Sequence, residues 1–172
     1  EPNELEILHG IDLKVFQGEF VSIVGESGSG KSVSAKAIMG ILAKNGTIDR
    51  GQITFSYYRN PEERVTREIL QMKKEEIRRH INGKRIAMVF QDPMTSLNPL
   101  MPVGKQIMEG MIWHYHTPKE EAYEKALELM KLVGITDAEK RIKNYPHQLS
   151  GGMRQRIVIA IALACDPELL IC

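Results

Sequence analysis

The sequence predicts an α/β fold with a mostly parallel sheet. Three apolar segments have the composition of buried parallel strands, namely FVSIVG (20–25), KRIAMVFQ (84–91) and PELLIC (167–172). Segments of helical character separate them, and a glycine-rich turn directly follows the first. Strand, turn, helix and further strands in this order are typical of an α/β domain in which helices connect parallel strands.

Composition indicates an ordinary globular domain. The 172 residues are 42% hydrophobic and 26% charged, and the formal net charge of +1 argues neither for nor against nucleic acid. The two cysteines do not form a Cys-x-x-Cys motif, and we expect both to be small buried residues in a reducing compartment. The longest apolar run, 157–165, falls far short of the roughly 20 residues that a membrane span needs. The polar, acidic N-terminus does not resemble a signal peptide.

The first 55 residues predict strands and one helix. Strands are expected at 11–16 and 20–25, separated by a turn at Gln17 and Gly18. The first of them alternates apolar and polar residues, which suits an edge or half-exposed strand. A helix is expected over 31–43, and a short strand over 51–55.

A charged segment follows. Lys and Arg total nine and Glu totals five over 59–85. A thin apolar stripe of Ile69, Met72, Ile77 and Ile81 predicts an exposed, partly helical insert. We favour a solvated face over a nucleic-acid surface.

The second half predicts helices. The proline-punctuated segment 92–102 is not expected to be helical, and a helix is expected over 103–116. The next helix ends at Gly134, a C′ residue. Its start is predicted by Thr117 as N-cap, Pro118 at the first helical position and Glu120 closing a capping box.

GESGSGKS, residues 25–32, fits the phosphate-loop pattern G-x-x-x-x-G-K-[ST]. Glycines allow successive backbone N–H groups to point at phosphate oxygens, and the following helix adds the positive end of its dipole. Lys31 is expected to reach the β- and γ-phosphates and Ser32 to bind Mg²⁺; Val33 has no assigned role. The predicted nucleotide-binding residues are Gly25, Glu26, Ser27, Gly28, Ser29, Gly30, Lys31 and Ser32.

LSGGMRQR, residues 149–156, opens an apolar helix with two bare glycines. An N-cap turn explains Ser150. It does not explain why Gly151 and Gly152 both lack side chains. An anion site made of a serine hydroxyl, glycine N–H groups and a helix N-terminus is the sharper interpretation.

These motifs resemble those of the ATP-binding cassette (ABC) ATPases. LSGGMRQR is similar to the family's signature motif, VFQDP (89–93) to its Q-loop, and PELLIC to the strand that runs into the Walker B acids. FQDPMTSLNP (90–99) and YPHQLSGGMRQR (145–156) resemble the ATPase subunits of bacterial oligopeptide and dipeptide importers, whose relatives carry nickel or glutathione. Met153, which replaces the common signature glutamine, is typical of that group.

The resemblance implies a P-loop fold with an ABC-type core, an antiparallel N-terminal β part and a helical subdomain. Its parts would be a P-loop core (1–91) with a charged insert (57–83), the Q-loop and helical subdomain (92–148), and the signature motif, helix and start of the Walker B strand (149–172).

It also implies site residues and cofactors. Lys31 and Gln91 would be catalytic, with Gln91 and Ser32 near Mg²⁺, although a polar strand cap remains the alternative for Gln91. Ser150, Gly151 and Gly152 would cover the γ-phosphate of ATP held by a partner cassette in a head-to-tail pair. We expect His147 to be structural.

The implied partners are a second ABC ATPase subunit, transmembrane permease subunits and, indirectly, an extracytoplasmic peptide-binding protein. The implied location is the cytoplasmic face of the membrane. No nucleic-acid partner is implied. Alternatives are a nickel or glutathione importer, a non-transport ABC ATPase of DNA repair or chromosome architecture, and a catalytically silent regulatory module.

The family pattern continues with Asp-Glu-Pro after the position of Cys172, then a switch histidine, and places an adenine-stacking aromatic residue before Glu1. We expect the chain to be part of a longer ATPase. The 172-residue chain by itself should turn over little or no ATP.

Overall fold

The computed structural model describes residues 5–90, 92 and 96–172. The chain divides into two units between Ile77 and Arg78. The three-part division expected from the resemblance stays a prediction.

A helix and a β-hairpin lie within the described residues of the first unit. Helix α1 spans Lys31–Ile38, and strands β1 (Thr54–Asn60) and β2 (Glu63–Glu68) pair antiparallel, followed by a 3₁₀ turn at Ile69–Gln71. At the hairpin turn the Asn60 side-chain oxygen accepts hydrogen bonds from the backbone N–H groups of Glu62 (3.1 Å) and Glu63 (2.9 Å). This Asx turn explains why the strands reverse there.

The segment before α1 forms its predicted turn but not its predicted strands. The Glu19 N–H donates to the Phe16 carbonyl (3.1 Å), and Gly18 has a φ of +81°. Within 5–53, the described chain forms no strand, so the strands expected at 11–16 and 20–25 are wrong for this structure. Phe20 is 99% exposed and Val24 is 89% exposed. An apolar pattern becomes a strand only when a neighbouring backbone pairs with it and its side chains find a packing surface.

Three other predictions for this part of the chain need adjustment. Helix α1 ends at Ile38 instead of residue 43, because Gly40 takes a left-handed conformation with a φ of +64°. The strand expected at 51–55 begins at Thr54 and runs on to Asn60. The charged segment is helical only in its second half, as α2 (Lys74–His80), because its first half supplies β2.

The predicted apolar stripe of the charged segment is confirmed. Ile69, Ile77 and Ile81 are buried and Met72 is half-buried, while most of the intervening charged residues are exposed.

The described part of the second unit packs the helices that follow residue 100 with a parallel strand pair. The helices are α3 (Val103–Tyr115), α4 (Lys119–Leu132), α5 (Ala138–Arg141) and α6 (Gly151–Leu163), with a 3₁₀ turn at Pro146–Gln148. The bounds of α3 agree closely with the prediction. Their common core includes Val103, Ile107, Met130 and Ile157, all fully buried.

Strands β3 (Ile86–Met88) and β4 (Leu169–Ile171) are parallel, as predicted. Arg85 and Glu168 form an ion pair where both strands begin. The Val89 N–H donates to the Ile171 carbonyl (2.8 Å) and extends the ladder. The prediction that the last strand is buried is wrong, because Leu170 remains 37% exposed; among the described residues, its sheet consists of β3 and β4.

The start of α4 differs from the prediction. The helix begins at Lys119 with Pro118 in the cap position, and the Thr117 hydroxyl donates instead to the Met111 carbonyl (3.2 Å). Thr117 therefore satisfies the end of α3 rather than the start of α4. The end of α4 is as predicted, because Gly134 follows it with a φ of +78°.

Two further expectations fail. Ser96 is helical and its hydroxyl donates to the Asp92 carbonyl (2.8 Å), so the expectation of no helical residue in 92–102 fails at this position. Cys165 is buried as expected, but Cys172 is exposed.

Among the described residues, no helix combines the length and apolar character needed to span a membrane.

Candidate functional site

The phosphate loop, residues 25–32, takes a left-handed backbone at two glycines and is closely approached at two. Gly28 and Gly30 have φ values of +83° and +89°, in the left-handed region that favours glycine. A Cβ at Gly30 would lie 2.4 Å from the Leu8 Cδ2, and one at Gly25 would lie 2.8 Å from the Ser29 Oγ. The loop therefore has the conformation and close contacts for which the motif requires glycine.

The Lys31 ammonium lies over this loop. Its Nζ donates hydrogen bonds to the carbonyl oxygens of Gly25 (2.7 Å) and Glu26 (2.6 Å) and to the Ser29 Oγ (3.2 Å). Oxygen atoms thus already surround the cation. The oxygens of a phosphate can take the place of these acceptors, so the residues present fit a polyphosphate.

The first turn of α1 contains two serines with different surroundings. The Ser34 hydroxyl donates to the carbonyl of the N-cap residue Gly30 (3.0 Å), so it is used within the first turn of the helix. Ser32 is exposed beside the loop. Its hydroxyl is the one suited to a metal ion held by phosphates.

The signature loop, residues 150–152, begins α6. The Ser150 backbone is extended (φ −64°, ψ 161°), and its Oγ accepts a hydrogen bond from the Met153 N–H (3.3 Å). The simple interpretation of Ser150 as an N-cap is therefore confirmed.

The two glycines after Ser150 have no structural reason to be glycine within the described chain. Neither Gly151 nor Gly152 has a positive φ, and a Cβ added at either one would meet nothing within 4 Å. Glycine inside a helix is less favourable than alanine by up to about 1 kcal/mol. The missing side chains leave the helix N-terminus open to approach from outside.

Two residues that follow the loop fix its backbone. Met153 packs against the helical core. The Arg154 Nε donates to the carbonyl of the buried Leu149 (2.9 Å), and the Arg154 N–H donates to the Ser150 carbonyl (2.9 Å). Sequence reasoning gave these side chains no structural role.

A buried amide organises the loop before α3. Gln106 is 7% exposed, its Oε1 accepts from the Asn98 N–H (3.0 Å), and its Nε2 donates to the Asn98 (2.9 Å) and Met101 (2.8 Å) carbonyls. Sequence reasoning missed this residue. The available signal was its helical spacing from Val103, which puts a polar side chain on the buried face.

Two further residues were singled out from the sequence, Gln91 and His147. Gln91 lies outside the described residues. The exposed His147 ring stacks on Tyr145, with ring centroids 5.8 Å apart. Within the described ranges, no group of three or more His, Cys, Asp or Glu side chains could hold a metal ion.

Groups with shifted pKa values lie on α3, on α5 and after the end of α6, and a hydrogen bond from Lys131 lowers the pKa of Glu139 on α5. Burial raises the pKa of the Cys165 thiol to about 11. Burial also raises the pKa of Tyr115 and lowers the pKa of His114. None of them belongs to the phosphate loop or the signature loop.

Comparison with known proteins gives a consistent result. The family described as ABC transporter matches residues 8–172. The dipeptide transport ATP-binding protein DppD of Lactococcus lactis is 49% identical over 169 residues, which are 98% of this chain and 46% of that protein. The oligopeptide transport ATP-binding protein OppD of Bacillus subtilis is 46% identical over 169 residues, which are 98% of this chain and 44% of OppD. The chain thus spans about half the length of the curated relatives it matches.

Solved structures of similar fold belong to the same family. A dimeric post-hydrolysis state of the ATP-binding cassette MJ0796 bound to ADP and Pi superposes with a TM-score of 0.74 at 30% identity. That match covers 92% of this chain and 61% of the other. A second dimeric structure of MJ0796, a bacterial ABC transporter cassette, gives a TM-score of 0.73 at 30% identity with the same coverage. The cassette fold expected from the sequence is confirmed.

Proposed function

Because the chain belongs to the ABC transporter family, we propose that it is the nucleotide-binding part of a bacterial importer of oligopeptides or dipeptides. Relatives named for dipeptide and oligopeptide transport support the substrate class. Nickel and glutathione are the alternatives within the same role.

The geometry of Lys31 is the observation on which this proposal rests most. A fixed ammonium between the Gly25 and Glu26 carbonyls, in a loop that glycines hold open, suits the outer phosphates of ATP. The backbone of residues 25–30 would bind the phosphates, and Lys31 would stabilise the charge that develops on the γ-phosphate. Ser32 would hold Mg²⁺, together with Gln91. Bound Mg-ATP supplies the bond to be hydrolysed and a divalent charge on its outer phosphates.

We assign the signature loop to the nucleotide of a partner cassette. The Ser150 hydroxyl, the Gly151 and Gly152 N–H groups and the N-terminus of α6 form a surface suited to a γ-phosphate. Open space around both glycines supports an occupant that comes from outside the chain. A head-to-tail pair of cassettes provides one, and the similar cassette MJ0796 is described as dimeric.

The remaining partners follow from the importer role. Permease subunits would bind the segment after Gln91 and the helices of 103–133, and would place the protein at the cytoplasmic face of the membrane. An extracytoplasmic peptide-binding protein would deliver the peptide, and nucleic acid has no part. The P-loop core (1–91), helical subdomain (92–148) and signature segment (149–172) remain our functional division of the chain.

Transport assays test this function. Cells that lack the full-length gene should lose ATP-dependent uptake of labelled di- or oligopeptides, and the intact gene should restore it. The Lys31→Ala gene should not. Uptake of nickel or glutathione in place of peptides would select the alternative substrate, and full peptide uptake with Lys31→Ala would refute the role of the phosphate loop.

A further inference from the structure

Arg156 joins the signature helix to the end of another helix, and neither the motif analysis nor the proposed function gives it a role. Its Nη1 donates to the Gly134 carbonyl at 2.5 Å, across a sequence separation of 22 residues. We infer that Arg156 is a positioning residue that fixes the orientation of α6, and with it the signature loop, against the C-terminal end of α4. This inference rests on the proposed function.

The end of α4 is shaped to receive the arginine. The Ile135 N–H donates to the Met130 carbonyl (2.8 Å) and the Gly134 N–H to the Lys131 carbonyl (2.9 Å), which is the Schellman pattern. Gly134 reverses the chain at a φ of +78°. Its own carbonyl accepts the hydrogen bond from Arg156.

A side chain at position 134 would also crowd the Arg156 guanidinium. A Cβ there would lie 2.8 Å from the Arg156 Nη1 and 3.6 Å from its Cζ. The same glycine therefore permits both the left-handed turn and the close approach of the guanidinium.

Electrostatics favour this contact. A helix C-terminus has the negative end of the helix dipole, so a guanidinium is stabilised there. A hydrogen bond between a charged donor and a carbonyl is also stronger than one between neutral groups. Arg156 thus forms a directional link between two helices rather than a solvated surface charge.

Arg156 lies outside the hydrophobic core, so its role can be tested without disturbing core packing. Its side chain is exposed, whereas the next residue, Ile157, is fully buried in the core. Removing the guanidinium opens no cavity. The signature loop lies fewer than two helical turns away, and a small rotation of α6 moves Ser150 relative to a phosphate held by another subunit.

The test compares Arg156→Met, Arg156→Lys and Arg141→Met in the full-length protein. Arg141 is the matched control because its Nε donates to the Thr136 carbonyl (2.9 Å), an arginine–carbonyl contact in the same unit but not on α6. We expect Arg156→Met to lower kcat for ATP hydrolysis by about tenfold or more, with KM for ATP and the Tm close to parental values. Arg156→Lys should recover part of the loss, because an ammonium can also donate to the carbonyl. Arg141→Met should match the parent.

Parental kcat in Arg156→Met, or an equal loss in Arg141→Met, would overturn the inference. A fall in Tm or a rise in KM that accounts for the loss would do the same, because it would indicate a merely structural effect. Lys31→Ala distinguishes failure of this inference from failure of the proposed function. If Lys31→Ala is inactive and Arg156→Met is unaffected, the inference alone fails; if Lys31→Ala hydrolyses ATP normally, the proposed function fails as well.

Discussion

The Lys31 Nζ and the Glu26 carbonyl oxygen lie 2.6 Å apart within the phosphate loop. Hydrogen bonds to the protein's own backbone therefore hold the ammonium at the loop. Binding needs only to exchange carbonyl oxygens for phosphate oxygens, and the entropy of ordering a long side chain is spent when the protein folds.

Lys31→Ala should weaken the binding of a fluorescent ATP analogue by about tenfold or more, because a charge-assisted contact to phosphate is lost. Lys36→Ala is the control, since Lys36 is an exposed lysine in the last turn of the same helix. Equal affinities in a fluorescence titration of the two full-length variants would contradict the assignment of Lys31.

Ser150→Asp and Ser150→Ala should separate the cap from the anion site. Aspartate retains N-cap ability and suits a helix N-terminus, so unfolding stability should be close to parental. Its negative charge should nevertheless abolish ATP hydrolysis by repelling the partner-held phosphate. Alanine should cost about 1 kcal/mol of stability, because the acceptor for the Met153 N–H is lost. Urea unfolding and phosphate release measure the two effects, and an active Ser150→Asp enzyme would contradict the site.

Gly151→Ala and Gly152→Ala should leave stability unchanged or raise it by up to about 1 kcal/mol, because a Cβ meets nothing at either position. Both variants should lose ATP hydrolysis, since the methyl groups obstruct the approach of the partner's phosphate. Gly104→Ala gives the contrast: its Cβ would lie 2.2 Å from the Ile142 Cγ1, so overpacking should cost about 1–3 kcal/mol. Full activity in either signature-loop variant would argue against an external occupant.

The two cysteines should react differently with maleimide. At neutral pH the 172-residue chain should take one label, at the exposed Cys172, and a second only after denaturation. Burial of Cys165 removes access and disfavours its thiolate. Intact-mass spectrometry counts the labels, and rapid modification of Cys165 in the folded chain would contradict its burial.

The raised pKa of Cys165 also predicts a pH dependence. The folded state favours the neutral thiol, so its contribution is complete below the ordinary value of 9.0 and is lost as pH rises toward about 11. Cys165→Ala should reduce the loss of stability between those pH values. Urea midpoints of the two chains across this range measure the effect: the offset between them should be constant at neutral pH and should change only between pH 9.0 and about 11.

Local signals predicted the parts of the fold that local chemistry determines. Helix α3, the Gly134 turn and the Ser150 cap depend on residues within a few positions of one another, and each lies where expected. The phosphate loop was also predictable, because its glycines and Lys31 act within eight consecutive residues.

Features that depend on distant partners were not predictable. The apolar pattern at 11–16 and 20–25 defines side chains suited to a strand but not the backbone that would pair with them. Thr117 satisfies two cap patterns, and only the position of the Met111 carbonyl decides between them. The Arg156 link required knowledge of where α4 ends in space.

The open space around Gly151 and Gly152 has a practical consequence for protein engineering. A redesign that scores this chain alone would replace both residues with alanine, since nothing inside the chain resists the change and the helix gains from it. On our assignment, the resulting variant would have a higher Tm but would no longer support transport. Thermostability screening of an isolated cassette would therefore select against the open helix N-terminus that a pair of cassettes needs for ATP hydrolysis.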